Sequence, residues 1–125
     1  MSTALITVGP KDSVNRADLE MKLAGIRHFP VVDARNHLVG VVSDRDLLRG
    51  FAHGDVVSID AVMTTDVQTV SEETSAAEAV ELLLEHKFGC LPVTGDEGQL
   101  VGLVTETDFL QVAYRALMDR DELGK

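Results

Sequence analysis

Cysteine is all but missing from this sequence: Cys90 stands alone. A single thiol rules out an internal disulfide and any thiolate-rich metal site. No activating neighbour is evident, and a free cysteine is most often a small buried apolar residue, so Cys90 is expected in the core. Aromatics are scarce too, with four Phe, one Tyr and no Trp, which leaves Val, Leu, Ile and Ala to build the interior. Basic residues are outnumbered: 11 Lys and Arg face 21 Asp and Glu, a formal net charge of −10. Phosphate backbones are bound by clustered Lys and Arg, so no nucleic-acid partner is expected. An anionic membrane surface is disfavoured for the same reason. One anionic small molecule is still admissible, because a local basic pocket can exist on an acidic protein. No apolar run approaches the ~20 residues of a membrane span, and no signal-peptide pattern precedes the first folded segment. No membrane partner is therefore expected, and the cytoplasm is the default compartment.

What is present is a repeat. The chain has 125 residues, enough for one domain with a real core and too few for two unrelated ones. An offset of 62 positions, the separation of Asp46 from Asp108, aligns two stretches without a gap. It lays Thr7-Val8 on Thr69-Val70, Ser13 on Ser75, Ala17 on Ala79 and Pro30-Val31 on Pro92-Val93. It also lays Leu38-Val39-Gly40 on Leu100-Val101-Gly102, Val42 on Val104 and Leu48 on Leu110. Each copy is too small to bury its own apolar face, so the copies are expected to pack on each other.

Each copy reads as the same series of elements. A short extended piece, Leu5–Val8 or Val67–Val70, precedes a helix. The first helix is expected from Val14 to Leu23, closed by Gly25 in a left-handed cap. Its counterpart runs from Ala76 to His86, with Ser75 and Glu78 spaced for a capping box and Ala79, Leu82, Leu83 and His86 on one side. Next come strands Phe29–Val32 and Cys90–Val93, whose prolines lack an amide donor and so belong at a strand start or edge. Turns at Asp33–Asn36 and Gly95–Gly98 lead into strands Leu38–Val42 and Leu100–Val104, each with a central glycine of the kind that marks close backbone approach. A helix then starts near Ser43 and near Thr105. The last one is expected over Glu106–Asp121, with Phe109, Leu110, Val112, Ala113, Leu117 and Met118 as an apolar face.

Ser43-x-x-Asp46 and Thr105-x-x-Asp108 are the sharpest features. Both fit helix N-caps in which hydroxyl and carboxylate take up free amides. A helix start just past the carboxyl end of a strand is also where α/β proteins bind ligands. The two copies differ around it. Arg27, His28 and Arg45 surround the first element, where the second copy has Gly89, Cys90 and Thr107, with Glu106 adjacent and Lys87 as its cation. A phosphorylated ligand is therefore expected to prefer the Asp46 side. The four histidines are scattered: His28 is suited to a polar pocket lining, His37 and His53 to exposed loops, His86 to a helix end. They have no metal-ligand spacing, and no phosphate loop or nucleophile–base arrangement is present, so neither metal, cofactor nor enzymatic activity is expected.

The order strand-helix-strand-strand-helix, given twice, resembles the CBS domain family, named after cystathionine β-synthase. The apolar-Pro-Val strands, the Leu-Val-Gly strands and the endings Val42–Leu48 and Val104–Leu110 carry the resemblance. It implies an α/β (α+β) fold of two tandem β-α-β-β-α CBS repeats packed as one pseudo-two-fold module, residues 1–53 and 54–125. Ile59–Thr64 resembles the family's short lead-in helix. By the same offset Met63 matches Met1, so the first lead-in is either naturally absent or the chain was cut from a longer protein. In the family the hydroxyl-x-x-Asp element holds the ribose of an adenine nucleotide lying between the copies. The resemblance thus implies a favoured cleft of Asp46, Ser43, Arg45, Arg27 and His28, with Val70, Phe88, Gly89, Cys90 and Pro92 as its apolar side. A second cleft would hold Asp108, Thr105 and Lys87 with Val8, Ile26 and Pro30. The implied function is a regulatory module sensing AMP, ADP or ATP, or a related small molecule, and passing the change to a partner protein or attached effector domain. The alternative is a scaffold module without a ligand; the apolar final helix suggests a homodimer face.

Overall fold

In the computed structural model, which describes residues 6–52, 57–86 and 89–123, the first copy carries helix α1 (Val14–Ala24), strand β1 (His28–Val32), strand β2 (Leu38–Ser43) and helix α2 (Asp44–Ala52). A 3-10 turn, Ile59–Ala61, leads to the second copy: α3 (Ala76–His86), β3 (Cys90–Thr94), β4 (Leu100–Thr105) and α4 (Glu106–Leu123). This is the expected mixed fold. The α1 boundaries follow local chemistry. The Ser13 hydroxyl accepts from the Arg16 amide, and Gly25 closes the helix at φ 68° with its amide on the Met21 carbonyl. At α3 only half of the expected capping box forms: the Glu78 amide donates to Ser75 Oγ at 3.1 Å.

β1 and β2 form one antiparallel hairpin, β3 and β4 the other, and their registers correspond pair for pair. Phe29 faces Val42 as Leu91 faces Val104, and both ladders shift at the same point, before Val32 and Thr94. The turns also match. The Asn36 amide bonds the Asp33 carbonyl and the Gly98 amide the Gly95 carbonyl, each at 3.0 Å. Asn36 at φ 64° takes the left-handed position that Gly98 fills at φ 83°; asparagine is among the few residues that tolerate it.

The leading extended pieces reduce to single parallel bridges, Val8 to Val31 and Val70 to Val93. Proline explains why. Val8 donates to the Pro30 carbonyl and accepts from the Val32 amide, so a longer parallel ladder would next need the amide that Pro30 lacks. Pro30 and Pro92 thus stand inside their strands, not at the start, with the missing donor turned away from the hairpin partner.

Among the described residues three apolar clusters hold the structure. Val8, Val14, Ala17, Met21, Phe29, Val31, Val42, Leu47 and Ile59 fill the first copy. Val70, Ala79, Leu83, Leu91, Val93 and Val104 fill the second. Val41, Leu103 and Cys90, with Val67 against them, join the two. Each hairpin is buried on both faces, so its strands read as apolar runs instead of alternating.

The copies are also bonded through backbone. The Leu38 amide donates to the Gly98 carbonyl (3.2 Å) and the Leu100 amide to the Asn36 carbonyl (2.9 Å), a pair related by the repeat. Asn36 Nδ2 adds a bond to the Leu100 carbonyl at 2.9 Å. His37 lies in this contact, bridged to Gln99 and half-buried, not in a free loop as its sequence context suggested. The segment leading into the second copy binds to the first: Val41 and Thr64 exchange two 2.9 Å bonds, and the Ile59 amide reaches the Asp12 carbonyl at 2.9 Å.

Gly40 makes this last contact possible. A Cβ there would stand 2.7 Å from the Thr64 carbonyl oxygen and 3.0 Å from Met63 Sδ. Gly40→Ala is expected to lower stability by about 1–3 kcal/mol, because backbone must move to relieve the overlap. Urea unfolding of the two proteins measures it; a loss under about 0.5 kcal/mol, the range of ordinary surface changes, would show the contact to be yielding.

Candidate functional site

β2 and β4 end at Ser43 and Thr105, and helices start on the next residue in both cases. The caps form as reciprocal pairs. The Ser43 amide donates to Asp46 Oδ2 (2.9 Å) and the Asp46 amide to Ser43 Oγ (3.2 Å). The Thr105 amide donates to Asp108 Oδ2 (3.0 Å) and the Asp108 amide to Thr105 Oγ1 (3.3 Å). Each pair uses one carboxylate oxygen and satisfies a free helix-start donor.

Both caps open onto clefts made by the two copies together. The first, about 410 Å³, is lined by Arg27, His28, Ser43, Arg45, Asp46, Gly89 and Cys90, joined by Val41, Thr64, Asp66, Val67 and Glu106. The second, about 690 Å³, is lined by Ile26, Thr105 and Asp108, joined by Ile6, Gly25, Arg27, His28, Gly89, Leu103, Glu106, Thr107 and Leu110. Lys87 and Phe88 lie outside the described residues, as does His53; His86 closes α3.

Four residues expected as cleft walls are in the cores instead. Val8 and Val70 are buried in the two copy cores, and Pro30 and Pro92 are fully buried. Their extended bridges cover them, so beside the expected Ile26 and Cys90 the apolar lining comes from Val41, Val67, Ile6, Leu103 and Leu110. These could be found only from the offset: Val41 and Leu103 are equivalents facing each other across the join.

The expected contrast in charge is also corrected. Arg27 and His28 border both clefts, so only Arg45 is particular to the first, where Asp46, Asp66 and Glu106 oppose it. Among the described residues, two guanidinium groups stand against three carboxylates in one cleft and one against two in the other.

His28 sits where the clefts meet. It starts β1 opposite Ser43, and its ring lies on Gly89, where a Cβ would come within 2.9 Å of His28 Cε1. Gly89, at φ 78°, is therefore required twice, by its backbone and by the ring. Burial lowers the His28 pKa below its ordinary value near 6.5, with Arg27 acting in the same direction and Asp44, Asp46 and Glu106 opposing. Cys90, the repeat equivalent of His28, is buried as expected, and burial pushes its thiol up to about 11. It is thus a neutral apolar wall and not a nucleophile. Among the described residues no helix is long and apolar enough to cross a membrane, and no three His, Cys, Asp or Glu side chains gather as metal ligands.

Comparison with known proteins agrees with this geometry. The profile of the CBS domain matches the chain twice, over residues 1–53 and 57–115. The chain is similar to inosine-5'-monophosphate dehydrogenase of Korarchaeum cryptofilum, 37% identical over 121 residues, which cover 97% of this chain. It spans 25% of the length of that relative. Among solved structures it resembles CBSX2 of Arabidopsis thaliana in complex with AMP, with a TM-score of 0.81 and 31% identity over 90% of each chain. It also resembles the CBS domain pair of protein MJ0100 in complex with 5'-methylthioadenosine and S-adenosyl-L-methionine, with a TM-score of 0.85 and 25% identity over 93% of each chain.

The His28 shift sets a pH dependence. Because its folded pKa lies below the unfolded one, the unfolded chain binds the extra proton first, and stability falls as pH drops through about 6.5 until the folded value is passed. Between pH 7.5 and 5.5, His28→Gln is expected to lose less stability than the wild type in urea melts. Equal losses in the two proteins would contradict a buried neutral imidazole.

Proposed function

The chain belongs to the CBS domain family, and from that premise we propose that it senses an adenosine-containing ligand held in the clefts between its two repeats. As a CBS pair it is a regulatory ligand-binding unit and not a catalytic domain. The observation that carries the finer reading is the pair of hydroxyl-x-x-Asp caps, both opening onto inter-repeat clefts. A carboxylate fixed at a helix start is a ready acceptor for ribose hydroxyls, and the mixed polar and apolar walls suit a base.

The solved neighbours support adenosine as the common element. AMP in one, and 5'-methylthioadenosine with S-adenosyl-L-methionine in the other, share adenine and a ribose 2',3'-diol and differ in everything beyond. Among the described residues neither cleft has an excess of cations, so their charges favour no particular number of phosphates. A ligand touching both repeats favours one packing of the pair, and that shift is what a partner protein or attached effector domain would read.

The alternative is a dimerisation or scaffold module that holds no ligand. The observation in its favour is α4, where Leu110, Val112, Tyr114, Leu117 and Met118 are all exposed; such a row suits a second copy of the chain.

A thermal-shift screen with AMP, ADP, ATP, NAD, S-adenosylmethionine and GTP separates the readings. At about 1 mM, adenosine compounds are expected to raise the melting temperature, since saturation at 100 times Kd stabilises the fold by about 2.7 kcal/mol. A protein indifferent to all of them would be a scaffold.

A further inference from the structure

The two caps share their spacing and differ in what holds the second carboxylate oxygen. Asp46 is 5% exposed. Its Oδ2 accepts from the Ser43 amide, and its Oδ1 is paired with Arg49 Nη2, one turn further along α2. By the repeat offset the place of Arg49 is taken in α4 by Gln111, an exposed residue. Asp108 is half-buried. Its Oδ2 accepts from Thr105, and among the described residues its Oδ1 has no hydrogen-bond partner.

We propose that Arg49 acts as a built-in counter-ion that withholds Asp46 from a ligand diol, so that the Asp108 cleft fills first and the Asp46 cleft second. This rests on the adenosine reading and deepens it by ranking the two sites. A diol donating to a carboxylate needs an oxygen with a free lone pair and an uncompensated charge. Asp108 offers both. At Asp46 the diol must displace a guanidinium or share the oxygen with it. The Arg49 side chain is 70% exposed, and a pair of that kind is weak enough to yield to a ligand. It therefore weakens the second site without abolishing it, by about fivefold at most. The wall charges do not reverse this order, because Arg27 serves both clefts and Arg45 is offset by Asp66 and Glu106.

Arg49 is a positioning residue, acting on the ligand through Asp46. Isothermal titration of the whole chain with AMP, and separately with adenosine, is expected to resolve a tighter and a weaker event. Asp108→Ala should remove the tighter one. Arg49→Gln, which gives the first copy the side chain of the second, should strengthen the weaker event by about fivefold, while Arg49→Lys stays near the wild type. Gln111→Arg should weaken the tighter event by a similar factor. Urea melts of the same variants confirm that each is folded. If the wild type binds and Arg49→Gln leaves both events unchanged, or Asp46→Ala removes the tighter one, the counter-ion role is overturned while adenosine sensing stands. If neither compound binds the wild type or Arg49→Gln, the adenosine reading itself fails and takes this ranking with it.

Discussion

A hairpin two strands wide cannot stand alone in water, since it has two open edges and too little apolar face to cover. This chain contains two of them, and nearly every other feature serves to cover them. Val8 and Val70 close the outer edges of β1 and β3 by one bridge each. The segment around Thr64 closes the outer edge of β2. Helices cover one face of each hairpin, and the opposite faces meet through Val41, Leu103 and Cys90. Neither copy is finished without the other, which is why the second copy's lead-in belongs by packing to the first.

The join is uneven along its length. At the turn end, backbone bonds between Asn36, Leu38, Gly98 and Leu100 hold the copies in register. At the other end, where β2 and β4 run into α2 and α4, the clefts open and His28 packs on Gly89. Backbone bonds restrain relative rotation far more than one ring against a glycine does. Whatever changes the angle between the repeats is therefore felt most at the helix starts that bear Asp46 and Asp108, and least at the turns.

Much of this was legible in the sequence because it is local or repeated. The offset between copies predicted the repeated order of elements, and capping chemistry placed α1 and α3 within a residue or two of their observed ends. Turn composition placed loops at Asp33–Asn36 and Gly95–Gly98, and the structure adds that Asn36 and Gly98 share the left-handed position. What was not legible depends on neighbours far along the chain. The prolines were expected at a strand start or edge; they stand mid-strand, with the missing donor on the outer edge, where a one-residue bridge accommodates them. Val8, Val70, Pro30 and Pro92 stand near the clefts in sequence and inside the cores in space, because the bridges that carry them also bury them. Counting charges by copy assigned Arg27 and His28 to one cleft; each cleft takes walls from both copies, so these two residues border both. The Arg49 pairing was readable in principle from the i,i+3 spacing to Asp46 and the Gln at position 111, but only once Asp46 was known to point back along α2.

Capping and ligand binding are often posed as rival explanations of one aspartate. On the proposed reading they use different oxygens. Oδ2 of Asp46 and of Asp108 is committed to the amide that begins the hydroxyl-x-x-Asp element, and that bond fixes where the carboxylate sits. A fixed carboxylate is a better acceptor than a mobile one, since no side-chain freedom has to be lost when a ligand arrives. In the proposed site the cap is thus the positioning device, and what the second oxygen meets decides its availability. In one copy it meets a guanidinium, and in the other it has no hydrogen-bond partner among the described residues. On the proposed reading, two copies of one scaffold differ in affinity through a single residue that is no part of the cleft wall and reaches the ligand only through Asp46.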